Sequence, residues 1–265
     1  MSALITPAAL AATLASVKIL DCSYGVPDAH GAFARAHIPG AQFFDIDEVA
    51  DPQSPYAHTL PSADLFGQMV GAMGIGNDDA VVVYDQNGIS FAAARVWWMF
   101  RTMGHQNVKV LNGGLPAWLR AGQPVESGAA PALPAKTFAA TLNENLLRRF
   151  EDMDASRETV IDARGAERFS AAVRSADGDM VPAHIPGSQN VPFAMLLDPH
   201  GALKDADACA ALLFPRIEAG STLAVTCGSG VTACVLALGF YEAGFPDVAV
   251  YDGSWTEWSD KNALR

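Results

Sequence analysis

Leu223-Ala-Val-Thr-Cys-Gly-Ser-Gly-Val-Thr-Ala-Cys234 reads as the end of a strand, a tight loop and the start of a helix. Leu223 to Thr226 is apolar and β-rich, Gly228 and Gly230 let the backbone curl, and the apolar run from Thr232 to Ala243 suits a helix. An α/β protein exposes a reactive side chain at such a junction, and the residue standing there is Cys227. Successive loop N–H groups can point into one concavity, to which the helix adds its positive end, an arrangement that favours thiolate over thiol. Cys227 is therefore a candidate nucleophile. The alternative is a structural core cysteine, which would not need Gly-Ser-Gly behind it.

Working outward, the chain is written twice. Val17-Lys-Ile-Leu-Asp21 is answered by Thr159-Val-Ile-Asp162, His37-Ile-Pro-Gly-Ala-Gln by His184-Ile-Pro-Gly-Ser-Gln, and Ala80-Val-Val-Val-Tyr-Asp85 by Leu223-Ala-Val-Thr-Cys227. Val110-Leu-Asn-Gly113 with Trp118 matches Val250-Tyr-Asp-Gly253 with Trp258. Elements recurring in one order imply two homologous domains. Each half alternates short strands (Val81 to Tyr84, Val108 to Leu111; Leu223 to Thr226, Val248 to Tyr251) with helical stretches (Phe91 to Met103, Thr232 to Ala243). That alternation predicts an α/β fold with a mostly parallel sheet flanked by helices in each half. The expected boundaries are a first domain over 1–122, a Pro-, Gly- and Ala-rich linker over 123–142 and a second domain over 143–265. Asp85 stands where the second half has Cys227, so the first half is read as noncatalytic; aligning Gly104 with Gly244 makes its loop about two residues longer.

The 265 residues are half hydrophobic, enough for a substantial core without staples. Four cysteines (Cys22, Cys209, Cys227, Cys234) form neither a dense disulfide pattern nor a C-x-x-C metal motif, which suits a reduced compartment. A formal charge of −12, from 17 Lys and Arg against 29 Asp and Glu, argues against nucleic-acid and anionic-membrane partners and requires local arginines for an anionic substrate. No Lys or Arg precedes Lys18, and Thr6-Pro7 before an alanine-rich run reads as a capped helix rather than a signal peptide. No apolar run approaches the roughly 20 residues of a membrane span, and the cytoplasm is the default location.

Taken together, the two His-Ile-Pro-Gly segments, Phe43-Phe-Asp-Ile-Asp47, Trp97-Trp98, Leu111-Asn-Gly-Gly114, Thr226-Cys-Gly-Ser-Gly-Val-Thr232 and Tyr251-Asp-Gly-Ser-Trp255 make the chain resemble the tandem-domain rhodanese family of sulfurtransferases over essentially its whole length. Within that family, Cys-Gly-Ser-Gly-Val-Thr is similar to the loop of the 3-mercaptopyruvate-using branch. Thiosulfate-preferring members usually carry basic residues where this chain has Gly228 and Ser229. The resemblance implies 3-mercaptopyruvate as sulfur donor, with thiosulfate as the alternative. It also implies a persulfide on Cys227, transfer to a thiol such as thioredoxin or a small thiol, or to cyanide, and no metal or organic cofactor.

Residue by residue, the resemblance makes Arg168 and Arg174 substrate ligands, with the loop residues Gly228, Gly230, Val231 and Thr232 cradling the outer sulfur. Asp47, His58 and Ser229 fall on the positions of a carboxylate, imidazole and hydroxyl relay. Each has a plainer reading: solvated surface arginines, a loop histidine, and a serine chosen for its size. His37 and His184 recur in both halves and are expected to be structural; Trp97, Trp98, Trp118 and Trp258 are expected in the core, and Trp255 could wall the pocket. Two rival functions remain. A C-x5-R phosphatase lacks its arginine, since Ala233 stands six residues after Cys227. A noncatalytic binding module would not need the intact loop.

Overall fold

The computed structural model describes every residue except 1, 26, 89, 90, 131, 154–157, 218–220 and 265. Contacts divide the chain into two units. In the first, strands β1 (Leu4–Ile5), β2 (Val17–Asp21), β3 (Gln42–Phe43), β4 (Ala80–Tyr84) and β5 (Val108–Leu111) form a parallel sheet in the order β1-β5-β4-β2-β3. Helices α1 (Pro7–Thr13), α2 (Ala29–Arg35), α3 (Ala63–Ala72), α4 (Phe91–Thr102) and α5 (Gly114–Arg120) accompany it. The expected N-terminal helix is α1, where the Thr6 hydroxyl accepts the Ala9 N–H and Pro7 opens the first turn. Val81, Val82 and Val83 of the central strand are all buried, as a strand covered on both faces requires.

The second unit repeats this topology. Strands β6 (Leu147–Arg148), β7 (Glu158–Asp162), β8 (Ala172–Arg174), β9 (Met180–Pro182), β10 (Gln189–Asn190), β11 (Thr222–Thr226) and β12 (Ala249–Tyr251) alternate with α6 (Ala166–Ser170), α7 (Ala206–Leu213), α8 (Ala233–Glu242) and α9 (Ser254–Lys261). Its parallel sheet runs β6-β12-β11-β7-β10, strand for strand the order of the first. The additional pair, β8 and β9, is an antiparallel hairpin. It accounts for the longer spacing in the second half. Phe33 and His37 stack at 4.1 Å four residues apart, and Phe169 and His184 stack at the same distance fifteen residues apart. In both, the histidine Nδ1 lies 2.9 Å from the phenylalanine carbonyl. Both histidines therefore have structural contacts, in keeping with their recurrence in both halves.

Three features of the packing were not visible in the chain. First, the stretch read as a linker, 123–142, packs with the first unit. Phe138 is buried edge-on against Phe66 and Phe100, and Gly67 and Gly71 on α3 admit its backbone, because a Cβ at either would lie within about 2.5 Å of a carbonyl oxygen of that stretch. Secondly, the unit boundaries are not contiguous in sequence: Gln53–Thr59 belongs to the second unit and Asp198–Leu203 to the first. The latter is held by Asn112, whose side chain accepts the Leu203 N–H at 2.7 Å and donates to its carbonyl at 3.1 Å. Thirdly, the two extra residues after Asp85 fall in the helix, since α4 has 12 residues and α8 has 10. The loops themselves turn alike, at Gly88 (φ 77) and Gly230 (φ 76), each three residues after Asp85 or Cys227.

Candidate active site

Cys227 follows β11 directly, and Ala163 at the end of β7 donates to the Thr226 carbonyl at 2.8 Å, so two central strands set its position. Contrary to the expectation of an exposed nucleophile, the residue is only 2% exposed. Gly230 supplies the left-handed turn and α8 begins at Ala233. Among the described residues, the N–H groups of Ser229, Val231 and Thr232 meet no protein acceptor, so they are available to an anion together with the helix N-terminus. Ser229 and Thr232 are half-buried and Val231 is buried. Cys234 is buried, its Sγ 3.2 Å from the Gly230 carbonyl.

Helix α9 fixes this loop from outside it. The Cys227 N–H donates to the Ser254 hydroxyl at 3.1 Å, and that hydroxyl donates to the Tyr251 carbonyl at 2.8 Å. The Trp255 N–H donates to the Cys227 carbonyl at 3.1 Å, while the Thr256 N–H and hydroxyl both reach the Gly228 carbonyl, at 3.0 and 2.7 Å. Ser254 has φ 51, a left-handed conformation that a side-chain-bearing residue adopts only under constraint. Beside it, Arg164 is buried on Asp162, bonds the Ala183 carbonyl at 2.8 Å and lies 5.0 Å over the Trp255 ring. None of Ser254, Thr256 or Arg164 stands out in sequence as a site residue. The available signal was the pairing of Gly114 with Ser254 in the repeat, which marks a glycine-like backbone position occupied by serine.

Arg168 of α6 lies against the loop. A Cβ built on Gly228 would stand 3.3 Å from one Arg168 terminal nitrogen, which places the guanidinium across the glycine next to Cys227. Arg168 is exposed and has no ion-pair partner among the described residues. Arg174 is placed differently. It ends β8 in the hairpin, exposed, and donates to the Gly178 carbonyl of the hairpin turn at 2.7 Å.

His58 is buried, has φ 65 and belongs to the second unit with Cys227, Ser229 and Arg168. Asp47 belongs to the first unit, in an exposed turn where its N–H donates to the Asp45 carboxylate at 2.8 Å. Of the tryptophans expected in the core, Trp97, Trp98 and Trp118 are buried, whereas Trp258 is half-buried, 5.6 Å from Phe150. Trp255 is half-buried on Arg164. All four cysteines are free thiols. Among the described residues, no group of three His, Cys, Asp or Glu side chains could hold a metal ion, and no helix is long and apolar enough to cross a membrane.

The comparisons with known proteins agree with this architecture. The rhodanese-like domain family matches residues 6–121 and again 143–261. The chain is 43% identical over 253 residues to 3-mercaptopyruvate sulfurtransferase of Rattus norvegicus, covering 91% of this chain and 84% of that protein. It is 44% identical over 253 residues to thiosulfate sulfurtransferase of the same organism, covering 92% and 85%. Among solved structures, SseA from Escherichia coli, described as a 3-mercaptopyruvate sulfotransferase, superposes with a TM-score of 0.86 at 34% identity over 96% of this chain and 99% of its own. This chain, with its two copies of the domain and a cysteine loop in the second, belongs to the rhodanese-like family of sulfurtransferases.

Proposed function

We propose that the protein transfers the sulfur of 3-mercaptopyruvate through a persulfide on Cys227. The Cys227 thiolate attacks the donor sulfur, an S–S bond forms and the donor C–S bond breaks, leaving its electron pair on carbon as the pyruvate enolate. Protonation of that carbon gives pyruvate. The outer sulfur then passes to a thiol, such as thioredoxin or a small thiol, or to cyanide. The four free cysteines suit a reducing compartment such as the cytoplasm for this chemistry.

The observation that carries the choice of donor is the Arg168 guanidinium lying across Gly228 with no ion-pair partner among the described residues. In a chain of net charge −12, a cation beside the nucleophile invites a carboxylate, and its planar fork matches one. Neither Gly228 nor Ser229 adds a second charge for the thiosulfate dianion. Relatives of both specificities are about equally similar, so overall identity does not decide between the donors. Gly228, Gly230, Val231 and Thr232 are assigned the sulfur cradle. Ser229, His58 and Asp47 are assigned the hydroxyl, imidazole and carboxylate of a proton relay serving the enolate. Arg174 is assigned a weaker, secondary part in substrate binding, since its guanidinium is already bonded to the Gly178 carbonyl of its hairpin.

Steady-state rates with both donors and one acceptor test this reading. A kcat/KM at least about tenfold higher with 3-mercaptopyruvate is expected, a modest 1.4 kcal/mol or so of differential transition-state stabilisation. Equal or better use of thiosulfate would make that dianion the donor.

A further inference from the structure

His58 stands in a stretch with no helix or strand, yet it is buried and held at a left-handed φ of 65. Such a conformation persists only where the surroundings over-determine it. Tyr56, two residues earlier in the same stretch, makes three hydrogen bonds. Its N–H donates to the Ser54 hydroxyl at 3.1 Å, its carbonyl accepts the Thr59 hydroxyl at 3.3 Å, and its phenol donates to the Asp260 carboxylate at 2.9 Å. This last bond joins residues 204 positions apart in sequence. Burial and the Asp260 carboxylate push the phenol up to about 12, so the donor keeps its proton throughout the neutral range.

Asp260 lies on α9, one turn beyond Thr256. The same helix therefore grips the nucleophile loop through Trp255 and Thr256 and the His58 stretch through Asp260. We propose that the Tyr56–Asp260 hydrogen bond is a latch that fixes His58 within the second unit, making Tyr56 and Asp260 positioning residues for proton transfer at the site. The catalytic part rests on the relay reading of His58 given above; the structural part does not.

Full-length Tyr56→Phe, Asp260→Ala and Asp260→Asn variants test it. The readouts are carbethoxylation of His58 by diethyl pyrocarbonate, hydrogen exchange of the peptide spanning 53–59, and kinetics with 3-mercaptopyruvate. Tyr56→Phe and Asp260→Ala should each raise His58 modification and lower kcat about fivefold, the weight of one net hydrogen bond, with KM and iodoacetamide alkylation of Cys227 unchanged. Asp260→Asn keeps an acceptor oxygen and should stay near wild type. Unchanged His58 modification and exchange in both Tyr56→Phe and Asp260→Ala overturns the latch. If His58 opens while transfer keeps its rate, the latch stands and the relay falls. If His58→Gln loses transfer while Tyr56→Phe leaves His58 protected, the relay stands and the latch falls.

Discussion

Cys227 and Asp85 end equivalent strands, β11 and β4, and the loops after them turn at glycines of nearly identical φ. Each carbonyl accepts an N–H from the start of the last helix of its unit, Trp255 at 3.1 Å and Leu115 at 2.9 Å. The residues before those donors, Ser254 and Gly114, share a left-handed backbone at φ 51 and 55. What differs is the use of the cradle. In the first unit the Asp85 carboxylate accepts the Ala93 N–H at 3.0 Å, while its other oxygen is buried with no hydrogen-bond partner among the described residues. Burial, reinforced by the nearby Asp21 charge, pushes Asp85 up to about 8. In the second unit a sulfur occupies that place, and a serine hydroxyl, where the first unit has glycine, holds the Cys227 N–H. One scaffold thus gives a self-filled cradle and an open one, and chemistry requires the open one.

The sharpest way to break this contrast is Cys227→Ser. An alcohol is neither ionised near neutral pH nor able to carry a sulfane sulfur, so transfer should fall by at least about a thousandfold with thermal unfolding unchanged. Substantial residual transfer would move the nucleophile elsewhere. Arg168→Ala should lower kcat/KM for 3-mercaptopyruvate about tenfold, mainly through KM, while Arg174→Ala, whose guanidinium is already bonded to Gly178 in its own hairpin, should change it by less than about threefold. Equal losses in the two variants would give Arg174 the same weight on the substrate as Arg168 and overturn this ranking.

A smaller effect belongs to the first unit. Asp85 in the folded chain keeps its proton to about pH 8, whereas its ordinary value is 3.8, so the folded state binds more protons between those limits. Its contribution to stability is therefore fully present below about pH 4 and is lost as pH rises through about 8, at no more than about 1.4 kcal/mol per pH unit. Asp85→Asn should match wild type in urea unfolding near pH 4 and exceed it near pH 9. Parallel pH curves for the two proteins would remove the buried proton from this account.

Much of this was legible in the chain itself. The repeat, the parallel strands and the loop around Cys227 follow from local pattern, because period, glycine spacing and strand composition are local properties, whereas Arg168 was singled out only by the family resemblance. The exchange of Gln53–Thr59 into the second unit was not, since it depends on pairs such as Tyr56 and Asp260 that no window contains. Phe138 shows the same limit: one aromatic anchors a stretch whose composition otherwise reads as linker. Ser254 was hidden for a different reason. Only its backbone conformation reveals that a serine stands where the repeat has glycine in order to reach Cys227.

The central claim is that sulfur passes through Cys227 and through no other cysteine. Peptide mapping by mass spectrometry of the wild-type protein, mixed with 3-mercaptopyruvate and no acceptor, tests it directly. One added sulfur on the peptide containing Cys227, lost again when a thiol is supplied, is the predicted result. Added sulfur on Cys22, Cys209 or Cys234 instead, or on none of the four, would contradict it.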